Sequence, residues 1–68
     1  MDNFKIKGEY IHLNQLLKVL GWVNDGGMAN EVIDAGLVNV DGVVETRRRN
    51  KIRPEMKITF DGKNILCQ

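Results

Sequence analysis

The sequence predicts an α+β domain in which two short helices pack on one side of a small, mainly antiparallel sheet. Three observations carry that expectation. Apolar residues recur at helical spacing in two places only, both between residues 13 and 35. Before and after them, apolar and polar residues alternate with the period of a strand. Two Asp-Gly pairs, Asp41-Gly42 and Asp61-Gly62, fall between strand-like runs, where tight hairpins turn.

The elements follow in order. Phe4-Lys5-Ile6-Lys7 alternates as a short half-buried strand, Gly8 breaks it, and Tyr10-Ile11-His12-Leu13 is a second extended piece. Leu13, Leu16, Leu17 and Leu20 then occupy one helical face, with Asn14 as N-cap and Gly21 as the left-handed terminator. So short a helix holds only if its leucines are packed. A second helix is expected from Gly26 to Ala35, capped by Asp25, striped by Met28, Ala29, Val32 and Ile33, and stopped by Gly36. Leu37 to Thr46 reads as a β-hairpin around Asp41-Gly42. A basic loop leaves its second strand and is punctuated by Pro54. Lys57-Ile58-Thr59-Phe60 alternates again, and Asp61-Gly62 turns the chain into a last strand at Ile65-Leu66. There is no linker, repeat or low-complexity tract, so residues 1–68 are expected to form one domain.

A chain of 68 residues buries only about 60% of its unfolded surface, which leaves a thin core and no sizeable cleft. Its one cysteine, Cys67, excludes an internal disulfide and a zinc knuckle, and reads as an inert thiol. Serine is absent and His12 is the sole histidine, so no nucleophilic constellation assembles; neither an enzyme nor a cofactor or metal site is expected. No apolar run nears the roughly 18 residues of a membrane span. The first residues lack the layout of a secretory signal, so the expected location is the cytoplasm, and the expected state a monomer.

The net charge of +1 conceals a division. Arg47, Arg48, Arg49, Lys51 and Arg53 put five of the ten cations into seven residues without an anion, while the other five face all nine acids and leave the rest at −4. Several guanidiniums so close together suit adjacent phosphates, which arginine meets with two parallel hydrogen bonds. Such a cluster is generic for anions. His12 and Lys18, at the start and on the exposed face of the first helix, are secondary candidates for the same patch. Tyr10, Phe4, Trp22 and Phe60 lie too far apart to stack successive bases and are expected in the core. Bare N–H groups at Gly26-Gly27 make a potential anion site, but the neighbouring Asp25 opposes it.

Leu13-Asn14-x-x-Leu17, then Ala29-x-x-Val32-Ile33-x-x-Gly36-x-Val38-x-Val40-Asp41-Gly42, resembles the RNA-binding domain of small-subunit ribosomal protein S-four, also called the alpha-L motif. The likeness runs from Ile11 to Phe60. The stretch from Val43 to Ile52 is similar to that of small stand-alone bacterial members. The resemblance implies binding of structured RNA, ribosomal RNA or tRNA among the possibilities, by a surface between the helices and the hairpin. Three departures matter: Gly26-Gly27 stands where the family has Ser-Arg, His12 where it has arginine, and Glu55-Met56 where it has a Gly-Asp turn. The helical half of the surface is thereby thinned, and Arg47, Arg48, Arg49, Lys51 and Arg53 must carry more. The rival reading is a protein-interaction or regulatory module whose basic loop docks on an acidic protein surface.

Overall fold

In the computed structural model, which describes residues 2–68, five strands form one sheet. These are β1 (Asp2–Phe4), β3 (Val38–Val40), β4 (Val43–Val44), β6 (Lys57–Phe60) and β7 (Lys63–Cys67), in the order β1-β7-β6-β3-β4. Only the β1–β7 pairing is parallel; β3–β4, β3–β6 and β6–β7 are antiparallel. A separate two-stranded ribbon joins β2 (Ile11–His12) to β5 (Lys51–Ile52). The helices α1 (Leu13–Val19) and α2 (Gly26–Asp34) complete the α+β domain.

The core joins Leu13, Leu16 and Leu17 of α1, Ala29 and Ile33 of α2, and the inward residues Val38, Val40, Ile58, Ile65 and Cys67 of the sheet. Both helices end in the same device. Gly21 at φ 73° and Gly36 at φ 76° take the left-handed conformation. That lets the N–H groups of Gly21 and Trp22 reach the carbonyls of Lys18 and Leu17, and those of Gly36 and Leu37 reach Ile33 and Val32. Asp25 caps α2 through Oδ1, 2.8 Å from the Met28 nitrogen, as its position in the sequence predicts.

Several expectations need correction. The first strand lies two residues earlier than the alternation suggests, and Ile6, beyond its end, is the buried residue of that segment. Its N–H donates to the Gln68 carbonyl, so pairing with the chain's far end decides where β1 stops. Asn14 is not the N-cap of α1. His12 holds that position without a side-chain bond, and the first-turn N–H groups of Leu13 and Asn14 donate to the carbonyls of Asn50 and Arg48. The amide of Asn14 is thereby free to donate to Asn30 Oδ1 at 3.1 Å, tying α1 to α2. Met28 is exposed, because Ala29 and Ile33 already fill the face that α2 turns inward.

The β3–β4 hairpin turns at Asp41 (φ 51°) and Gly42 (φ 84°), the two positive φ values of a type I′ turn. Asp41 also grips the next strand: its N–H donates to the Lys57 carbonyl at 2.8 Å, and its Oδ1 accepts from the Lys57 N–H at 2.9 Å. A Cβ at Gly42 would meet nothing within 4 Å, so any substitution there acts through the backbone alone. Gly42→Val forces a β-branched residue into the left-handed region at a cost of about 1–2 kcal/mol. A melt followed by Trp22 fluorescence is expected to show a loss of roughly 5–15 °C; an unchanged melting temperature would refute the strain argument.

Candidate functional site

The basic segment is not a free loop. It leaves β4, turns, and returns as β5, where strand alternation sends Ile52 into the core at 0% exposure and leaves Lys51 and Arg53 outside. Antiparallel pairing sets Ile11 opposite Ile52 and His12 opposite Lys51. One step further in this register Tyr10 meets Arg53. One face of the ribbon therefore gathers Tyr10, His12, Lys51 and Arg53. Lys51 Nζ lies 4.9 Å and Arg53 Cζ 5.4 Å from the centre of the Tyr10 ring, close enough for cation–π attraction. The His12 ring centre is 5.5 Å from that of Tyr10.

Glu45 organises the turn that precedes β5. Its carboxylate accepts from the Arg47 backbone N–H at 2.9 Å, from Arg47 Nε at 2.9 Å and Nη2 at 3.0 Å, and from Asn50 Nδ2 at 3.0 Å. Arg48 reaches back to α2, where Nε and Nη2 both bond the Asp34 carboxylate. The Arg48 and Asn50 carbonyls cap α1, as described above, so the basic turn is fastened to both helices.

These contacts divide the five clustered cations. Arg47 and Arg48 are each held by a carboxylate in a two-bonded ion pair, although their side chains remain 75% and 53% exposed. Among the described residues, no carboxylate lies within ion-pair distance of Arg49, Lys51 or Arg53. Arg47, Arg49, Asn50 and Lys51 line one shallow depression. The three unpaired cations, two of them beside Tyr10, make the most available positive surface on the segment. Lys18 stands apart from it, sharing a shallow groove with Asn14, Gln15 and Gly26. The structure thus brings His12 to the cationic ribbon and leaves Lys18 outside.

Tyr10 is the residue the sequence reading misplaces: it is 37% exposed and part of the cationic face, not of the core. The signal was present in Tyr10-x-His12, whose extended spacing puts both rings on one side. Trp22 and Phe60 stack at 6.4 Å and pack against the core, with Phe4 also half-buried there. At Gly26-Gly27 the Asp25 carboxylate occupies the helix N-terminus. Cys67 is fully buried, and burial, with the Asp41 carboxylate adding to it, pushes its thiol pKa up, which keeps the thiol protonated. No group of three metal-ligating side chains occurs among the described residues, and no helix there is long and apolar enough to cross a membrane.

The ion pairs make a pH prediction. The Arg47 guanidinium and the surrounding N–H donors hold the Glu45 carboxyl at about 2, against an ordinary 4.5. Hydrogen bonding to Arg48 lowers Asp34 as well. A carboxyl depressed by folding stabilises the fold above its unfolded pKa, and that contribution disappears as the folded form is protonated. Melting temperature should accordingly be level above pH 4.5 and fall progressively towards pH 2. Glu45→Gln is expected to lower the plateau and flatten this acid limb; an unaltered limb would show that the pair contributes nothing.

Comparison with known proteins gives the arrangement a context. The family described as S4 domain matches residues 4–67. YbcJ of Escherichia coli (strain K12), whose name designates it provisionally as an RNA-binding protein, is 41% identical over 59 residues, 87% of this chain and 84% of its own. YbcJ of Shigella flexneri, named as uncharacterised, matches to the same extent. The solution structure of E. coli YbcJ, described as revealing an alpha-L motif involved in RNA binding, superposes with a TM-score of 0.74 and 38% identity. That match covers 98% of this chain and 86% of the other.

Proposed function

Because this chain belongs to the S4 domain family, we propose that it is a non-catalytic RNA-binding domain that grips the phosphate backbone of structured RNA. Arg49, Lys51 and Arg53 make the first contacts, His12 extends their face, and Arg47 and Arg48 join by exchanging a carboxylate for a phosphate. Lys18, apart from this face, is not among the contacts proposed. The observation that carries the reading is the set of three unpaired cations on a turn and ribbon fastened to both helices. A surface held in this way presents charges at fixed spacing, which suits a polyanion of fixed phosphate geometry. The alternative, docking on an acidic protein, has less to support it, since no feature of the cationic face selects a protein carboxylate over a phosphate, and two of its arginines already hold carboxylates of this chain, Glu45 and Asp34.

The cationic face offers one exposed aromatic ring and few neutral amides to read base edges, so backbone shape rather than sequence sets the preference. A stem-loop RNA is expected to compete more effectively than an unstructured oligonucleotide of equal length at near-physiological salt, with little dependence on stem sequence. Tighter binding of the unstructured strand would overturn the shape reading. Absence of binding to either would overturn the function.

A further inference from the structure

Where the connection between β1 and β2 meets α1, the surface opens into a groove of about 400 Å³. Its apolar lining is Phe4, Tyr10, Ile11 and Val19; its polar lining is Lys5, Lys7 and the amide of Gln15, with no carboxylate among them. Tyr10 and Val19, 37% and 54% exposed, are large apolar groups that a domain with so thin a core leaves outside it. The volume lies in the range that small organic groups fill, and a mostly apolar lining with a few polar groups is the usual character of such sites. Tyr10 belongs both to this groove and to the cationic face beside Lys51 and Arg53, so the two surfaces are continuous.

Resting on the RNA-binding reading, we propose that the groove takes an unpaired nucleotide that leaves the end of an RNA helix bound on the β2–β5 ribbon. A nucleobase has apolar faces and polar edges, which match the groove's apolar lining and the Gln15 amide, a group that both donates and accepts. Contact between a base and an aromatic ring tolerates any base. Lys5 and Lys7 supply the positive charge that the accompanying phosphate requires, and the missing carboxylate removes what would repel it. The ligand recognised is then a helix end with a single-stranded extension, rather than a helix interior.

The test compares one stem-loop RNA with blunt ends against the same RNA carrying two unpaired adenines on either its 5′ or its 3′ end. One extension is expected to tighten binding about tenfold, within what a single base–aromatic contact supplies. Val19→Glu, a surface change that introduces a carboxylate into the groove, should abolish that gain and leave blunt-stem affinity within about twofold. Lys7→Glu, which reverses a charge in the same lining, should do the same. Equal binding of blunt and extended stems by the unmodified protein, or a gain that survives both substitutions, would overturn the nucleotide site while the RNA-binding reading stood. If neither RNA binds, that reading fails and this inference with it.

Discussion

Replacing Arg49, Lys51 and Arg53 together by glutamine is expected to remove most RNA affinity while moving the melting temperature by only a few degrees. All three side chains are exposed, and among the described residues none of them has an ion-pair partner whose loss would cost stability. Neutralising three of the five clustered cations removes the larger part of the sequence-independent electrostatic term that carries such binding. Counterion release allows a finer test. Three phosphate contacts give a slope of log K against log salt of about −2.1 on single strands and −2.7 on a duplex, whereas five give about −3.5 and −4.5. A slope near the smaller values would show Arg47 and Arg48 still bound to Glu45 and Asp34 in the complex; one near the larger would show that they have changed partners. A triple variant that binds RNA as tightly as the unmodified protein would remove the assignment of the site.

Ile52→Ala is expected to have the largest effect on stability of any change within the basic segment, although it removes no charge. Ile52 is fully buried in the core that α1, α2 and the sheet share. Truncating such a residue costs about 2–5 kcal/mol. The whole stability of a domain this size is only several times the lower figure. The melting temperature should fall by roughly 10–30 °C. RNA binding should weaken in parallel as folded protein is lost, and low temperature or a stabilising osmolyte should restore it. A variant that stays fully folded but binds poorly would instead mean that Ile52 positions the cations without holding the core.

On the proposed reading, stability and RNA binding are coupled, because one short segment would serve both. Ile52 anchors it, Lys51 and Arg53 flank that anchor on the opposite face, and the Arg48 and Asn50 carbonyls finish the first turn of α1. Replacement of Arg47, Arg48 and Arg49 by acids would therefore do more than reverse charge. It would set two new carboxylates against Glu45 and Asp34, whose present partners are Arg47 and Arg48. The glutamine variant at the three unpaired positions avoids that repulsion and is the cleaner probe.

By itself the sequence determined whatever depends on near neighbours along the chain. The leucine spacing of α1, the Asp25 cap, the glycines that close both helices, and the Asp-Gly turns at residues 41–42 and 61–62 are local, each decided within a few residues; the start of α1 is not, since its first N–H groups bond the distant Asn50 and Arg48 carbonyls. The concentration of charge at residues 47–53 and the residues of the family resemblance were equally legible. Only the tertiary structure decided which cations are available, since the carboxylate that holds Arg48 lies 14 residues away, on another element. It also decided that Ile52 anchors the basic segment in the core and that Tyr10 stands among the cations. Both follow from the β2–β5 pairing, which joins two-residue strands some 40 positions apart. Strands so short carry too little alternation to announce a partner. Their register is fixed by the burial of Ile52 in the core that α1, α2 and the sheet share.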